Sequence, residues 1–281
     1  MIHRSGRRAD VEAYAAWRQE RAASVTGAAG NLALVDYEPV GEQWARLETL
    51  PASALLDRDA AGVRLRLDAD AGASIDGVPV TGEVVLGRLR PDGRPLPRLG
   101  TRTVDAFSLD GTDYELRIYD STAATLADFD RIDCYPYDPD WVLTGEFRAA
   151  AQTERLPWGF TRPSDTGHAK TVPGAVRLVV AGEAVELIAF LDGEHAVLVF
   201  ADGTTGAESY QPGRFLRFPC PAATGPVTVD FNRAFIPPCG FSAFYSCPIP
   251  PPQNRISAPV RAGERAVLWH GDAGRDGPAG H

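Results

Sequence analysis

The sequence predicts a single mainly β domain: a barrel-like or strongly curved antiparallel sheet, one N-terminal helix, and a proline-rich C-terminal loop that caps one end. Three observations carry this. Alternating apolar and polar runs recur at roughly 8–12-residue spacing with tight turns between them. Only residues 10–24 show apolar side chains at three- and four-residue steps. Ten of the 23 prolines fall between Pro219 and Pro259, where each removes a backbone donor and fixes φ.

The helix comes first. Asp10 suits an N-cap and Glu12 suits the positive end of the dipole. Val11, Tyr14, Trp17 and Arg21 share one face, and Gly27 and Gly30 end the pattern. The period then changes to two. VRLRLDA (63–69) alternates as a half-buried strand does, and EVVLGRLR (83–90) runs into a PDGRP turn at 91–95. Residues 103–109 and 114–120 form a hairpin across Asp110–Gly111. Residues 175–191 form another, turning at Ala181–Gly182–Glu183, and 191–202 a third, across Asp192–Gly193. The segment after Pro219 holds Phe231, Phe235, Phe241, Phe244 and Tyr245, too apolar for a disordered linker. One domain is expected over 1–265, with 266–281 as a tail.

The chain has 281 residues, with 28 Lys+Arg against 37 Asp+Glu and a formal net charge of −9. That balance argues against a nucleic-acid partner, which needs a basic face, and against a polybasic membrane-surface protein. No apolar run approaches the roughly 20 residues of a membrane span. The start, MIHRSGRRAD, lacks the apolar core of a secretory signal, so a cytoplasmic location is expected. The four cysteines, Cys134, Cys220, Cys239 and Cys247, have no zinc-site spacing. No metal set and no cofactor are implied, and homo-oligomerisation stays open.

The stretch VDFNRAFIPPCGFSAFYSCPIPPPQNRISAPVRAGER (229–265) is distinctive. It carries Asp230-Phe231-Asn232-Arg233-Ala234, Pro237-Pro238-Cys239, Cys247-Pro248, Pro250-Pro251, Asn254-Arg255 and Ala262-Gly263-Glu264. A second block holds Phe200, Asp202, Thr204, Gly206, Ser209-Tyr210 and Gly213-Arg214-Phe215-Leu216. A third holds Tyr135-Pro136 and Asp138-Pro139. Together these blocks, over about 114–265, resemble the bacterial and archaeal family called domain of unknown function 1684. The helix with Trp17 and Arg18 is similar to the family's opening, whereas residues 31–44 depart from it. The resemblance implies no reaction.

Four constellations could carry chemistry. Asp202, Thr204, Ser209, Tyr210 and Arg214 would form a polar cradle at a barrel mouth, Arg214 holding a carboxylate or phosphate in bidentate fashion. The alternative is a structured turn in which Asp202 pairs with Arg214. Asp230 and Asn232 lie on one side of an extended segment. Asp230 would be a general base and Asn232 would orient the substrate, or both would pin the loop through backbone bonds. Cys239 would be a nucleophile paired with His195, a metal ligand with Cys247, half of a disulfide, or inert packing. Tyr135, in the Asp- and aromatic-rich run 129–141, would line the substrate pocket, while Asp beside Pro is more commonly a turn residue.

Two functions fit. One is an enzyme acting on a small polar or acidic organic substrate in a barrel-like pocket. There Arg214, Asp202, Thr204, Ser209 and Tyr135 bind, and Asp230, Asn232, Tyr210 and Cys239 do the chemistry. The other is a non-catalytic small-ligand-binding protein of the same fold.

Overall fold

A computed structural model describes residues 2–57, 62–87, 96–108 and 113–271, with side chains from residue 10 onward. The expected turns at 91–95 and at Asp110–Gly111 lie outside the described residues, as does the tail beyond 271. The fold is mainly β with one N-terminal helix and a six-stranded half-barrel antiparallel sheet. Two compact units make up the chain: Val25–Ala127, and Met1–Ser24 with Asp128–His281. Among the described residues no helix is long and apolar enough to cross a membrane.

The helix α1 runs Ile2–Thr26, longer than the 10–24 expected. Asp10 is therefore mid-helix and not an N-cap.

The Val25–Ala127 unit contains β1 (Leu34–Val40), β2 (Ala45–Arg46), β3 (Ala52–Asp57), β4 (Gly62–Leu67), β5 (Ala73–Ile75), β6 (Val78–Pro79), β7 (Gly82–Gly87), β8 (Arg98–Leu99), β9 (Arg102–Phe107) and β10 (Tyr114–Asp120). One sheet has the order β1-β10-β9-β8-β5-β6 and the other β2-β3-β4-β7. Period-two burial along β3 and β4 sends Leu56, Val63 and Leu65 into a core shared with Val104, Leu116 and Ile118. The opposite face carries charge: Arg66 pairs with Glu83 at 2.7 Å and stacks over Trp44.

The second unit contains β11 (Phe129–Cys134), β12 (Val142–Pro157), β13 (Ala169–Val180), β14 (Glu183–Asp192), β15 (His195–Phe200), β16 (Arg214–Pro219), β17 (Gly225–Asp230) and β18 (Glu264–Trp269). Its large sheet has the order β16-β15-β14-β13-β12-β17, and β11 pairs with β18. The expected hairpins are present. Val180 faces Glu183 across a two-residue turn, Ala181 and Gly182, both with positive φ as a type I′ turn demands. Glu183 is thus the first strand residue and not part of the turn. β18 corrects the expected tail: Glu264–Trp269 pairs with β11 because its apolar residues have a strand edge to join.

The proline-rich segment packs into this unit as the far wall of its core. Phe231, Ala234, Ile256, Val260 and Ala262 join Phe147, Leu187, Leu198, Phe200 and Leu216 of the sheet. Backbone bridges dock it at Phe215–Phe235, Ala201–Arg255 and Phe160–Pro248. Elsewhere side chains replace the missing ladder. Fully buried Asn254 donates to the carbonyls of Ile188 and Val199, both at 2.8 Å, and accepts from Ile188 N–H at 2.8 Å. Replacing it strands buried backbone groups, each costing about 1–3 kcal/mol. Asn254→Ala is expected to lose about 2–4 kcal/mol of unfolding free energy in chemical denaturation.

Candidate functional site

The cradle expected at a barrel mouth lies in the interior. Arg214, at the start of β16, is fully buried. Its Nη2 donates to Asp202 Oδ2 and to the Val260 carbonyl, both at 2.8 Å. Its Nη1 donates to the carbonyls of Ala262 and Glu264. Only Nε is left buried without a partner. The guanidinium carbon lies 5.4 Å from the centre of the Phe200 ring and 6.0 Å from that of Tyr135. Asp202 Oδ1 accepts from Thr204 N, Thr204 Oγ1 and Val260 N, and Thr204 Oγ1 shares a 2.7 Å bond with Ser209 Oγ. Arg214 and Asp202 are thus spent on docking 260–264 against the sheet, and Thr204 and Ser209 on Asp202 and one another. Tyr135 is buried too, its hydroxyl 3.4 Å from Glu208. Burial first, and Glu208 second, hold that phenol above its ordinary range.

Asp230 and Asn232 do meet, although not on an extended segment. Asp230 ends β17 and caps the 3₁₀ turn Phe231–Arg233. Its Oδ1 accepts from Asn232 N–H at 3.0 Å and from Asn232 Nδ2 at 2.9 Å. Asn232 is buried and otherwise staples Asp138, accepting from its N–H at 3.0 Å and donating to its carbonyl at 2.9 Å. Asp138 in turn caps Pro139–Trp141, the turn role that Asp before Pro commonly takes. Asp230 Oδ2 is 3.4 Å from Arg233 Nε.

Asp230 and Arg233 line an open cleft of about 210 Å³ with Asp10, Ala13 and Tyr14 of α1 and with Tyr137, Pro139 and Val142. Desolvation first, then Asp10 and Asp230, push the Tyr137 phenol up. Tyr137 belongs to the run 129–141 expected to line a pocket, whereas Asp10 was read as an N-cap and Arg233 as part of a motif, because a cleft wall built by packing a helix on a turn has no local signature.

The thiols form a separate cluster. Tyr210 O–H donates to Cys239 Sγ at 3.6 Å, and Cys239 N–H donates to Cys247 Sγ at 3.2 Å. All four cysteines are in the reduced form. His195 sits at the first residue of β15, paired with Asp192 and Pro219, while the partners of Cys239 are a phenol and a second thiol. Among the described residues no three His, Cys, Asp or Glu are grouped as metal ligands.

Helix α1 is anchored by charge. Arg21 Nε donates to buried Glu264 Oε1 at 2.9 Å and its Nη2 to the Ile236 carbonyl at 2.8 Å, while Ile236 N–H donates to Glu264 Oε2 at 2.7 Å. Nearby, burial pushes the Cys134 thiol up to about 11.

Arg214→Ala leaves Asp202 buried and unpaired, so a loss of about 3–5 kcal/mol in denaturant unfolding is expected. A second expectation concerns alkaline pH. The folded chain keeps Cys134 protonated, so its contribution is complete below the ordinary thiol value of 9.0 and is lost as pH rises through about 11. Wild type should therefore lose about 1–2 kcal/mol more than Cys134→Ala between those limits, read from urea midpoints across pH.

The solution NMR structure of an uncharacterized protein from Haloarcula marismortui is 27% identical, over 52% of this chain and 80% of that one, with a TM-score of 0.42. No curated protein matches. The family match begins at residue 127, inside the region of resemblance expected from about 114. Through residues 127–265 the chain belongs to the family described as protein of unknown function (DUF1684).

Proposed function

We propose that the protein is an enzyme acting on a small polar or acidic organic molecule bound in the cleft beside α1, with Asp230 transferring a proton. One observation carries this: Asp230 lines the cleft with one carboxylate oxygen fixed by two N–H donors of Asn232 and the other beside Arg233. A carboxylate oriented in this way has a defined direction for proton transfer. Arg233 takes the acid-binding role first given to Arg214, being half-exposed where Arg214 is enclosed. Asp10 and the Tyr137 hydroxyl offer partners for hydroxyl or amine groups, and Ala13, Pro139 and Val142 supply an apolar wall. The volume suits a compound smaller than a typical drug. A cytoplasmic setting fits four reduced cysteines.

Asp230→Asn retains a side-chain oxygen to cap the turn, so its fold should persist while proton transfer is lost. Wild type and variant are to be incubated with a panel of small hydroxy and amino acids, with conversion followed by mass spectrometry and binding by native spectra. The expected result is binding within about threefold of wild type and at least a hundredfold slower conversion in Asp230→Asn. Arg233→Ala should weaken acidic ligands about tenfold. Ligands recovered unaltered from wild type, with the same affinity in Asp230→Asn, would instead mark a non-catalytic binding protein.

A further inference from the structure

Cys239 and Cys247 are placed in a way that packing alone does not require. Cys239 occupies the 3₁₀ turn Pro238–Gly240, where the two prolines before it, Pro237 and Pro238, stiffen the backbone. Tyr210 closes over this turn. An ideal Cβ on Gly240 would lie 2.3 Å from Ile236 Cγ2 and 3.1 Å from Tyr210 Cε2, so the absence of a side chain leaves room for both the Ile236 side chain and the ring. The ring's hydroxyl then reaches Cys239 Sγ at 3.6 Å. Eight residues on, Cys247 is buried, and its sulfur accepts the Cys239 N–H at 3.2 Å. Its own N–H is fixed by Thr161 Oγ1 at 2.9 Å. Cys239 is the less buried residue of the two.

We propose that Cys239 and Cys247 form a redox-active dithiol that reduces hydroperoxides, with Cys239 as the attacking sulfur and Cys247 as the resolving one. The site stands apart from the Asp230 cleft and does not depend on it. The Cys239 thiolate attacks the terminal oxygen of the hydroperoxide. The O–O bond breaks, the leaving alkoxide takes a proton from solvent to give an alcohol or water, and Cys239 becomes a sulfenic acid. The Cys247 thiol then displaces its oxygen, releasing water and forming the Cys239–Cys247 disulfide. The two thiols together give up two electrons, which the peroxide takes. Exchange with two molecules of a low-molecular-weight thiol returns the dithiol and leaves that thiol as its disulfide.

The electrostatics agree. The hydrogen bond from Cys247, then that from Tyr210, hold the Cys239 thiol below its ordinary value against the opposing effect of burial. Cys134 and Cys220 are pushed the other way by burial. The Tyr210 phenol is raised by desolvation first and the neighbouring Cys239 second, so it remains a donor across the working range. A site built only for packing has no use for a phenol donor aimed at a sulfur. A metal site is short of a third ligand among the described residues.

The test treats fully reduced whole protein with an equivalent of hydrogen peroxide, quenches it with an alkylating agent, and maps tryptic peptides without reduction. Cleavage after Arg233 and Arg255 isolates both cysteines, and no others, in the peptide Ala234–Arg255. The expected product is that peptide lighter by two hydrogens, restored by a small thiol, while Cys134 and Cys220 stay reduced. Cys247→Ser should trap a single added oxygen on Cys239, captured by a dimedone-type probe, and Cys239→Ser should block both products. Tyr210→Phe should slow oxidation about tenfold and move the pH midpoint of Cys239 alkylation upward. Because the wild-type measurement suffices alone, a variant that misfolds does not decide the matter. The proposal is overturned if the peptide is unchanged, if oxygen stays on Cys239 without bridging, or if guanidinium-unfolded chain reacts as fast as folded protein.

Discussion

The ion pair between Asp202 and Arg214 holds the C-terminal half of the molecule together. Arg214 reaches across the core of its unit to collect the carbonyls of Val260, Ala262 and Glu264, and Asp202 takes the Val260 N–H. A proline-rich segment cannot run a sheet ladder, so its backbone must be satisfied by side chains. Arg214 supplies donors in a fixed planar fork, and Asp202 neutralises the charge that this buries. Such a pair adds little net stability over an apolar core, yet it fixes where the chain must go. Asn254, Asn232 and Glu264 repeat the device at other points of the same segment.

This arrangement sorts structural polar groups from chemical ones. Asp202, Arg214, Thr204 and Ser209 all point inward and are consumed by one another or by backbone. The groups proposed for chemistry lie elsewhere on the same stiff segment: Asp230 and Arg233 at the cleft, Cys239 in the turn Pro238–Gly240. Rigid support is what a reactive carboxylate or thiol needs, because a group held by packing and by neighbouring hydrogen bonds keeps its direction. Asn232 does this for Asp230, and Tyr210 with Gly240 does it for Cys239.

Much of the sheet was legible because its signals are local. Asp192–Gly193 and Ala181–Gly182 are two-residue turns whose backbone demands are met by the residues present, and the flanking β-branched and aromatic residues alternate. The long strand β12 was not legible. Its middle, RAAAQTER (148–155), is rich in residues that favour helix, and most of its side chains are exposed. Pairing of Arg148–Ala149 and of Glu154–Arg155 with β13, on either side of a register irregularity, overrides that preference. The end of the chain was misjudged for a related reason. Glu264–Trp269 looks like a frayed terminus until β11 provides an edge.

The sequence by itself determined the fold class, the hairpins, and that the proline-rich segment packs against the sheet. Each of those follows from periodicity, turn chemistry or backbone restriction within a few residues. Only the tertiary structure decided which of the polar residues face inward. An aspartate beside an arginine and a threonine reads the same whether it binds a ligand or a carbonyl, and burial is a property of what packs above it. The same holds for the cleft: Asp10 and Asp230 are 220 positions apart, and nothing short of docking the helix onto the turn makes them neighbours.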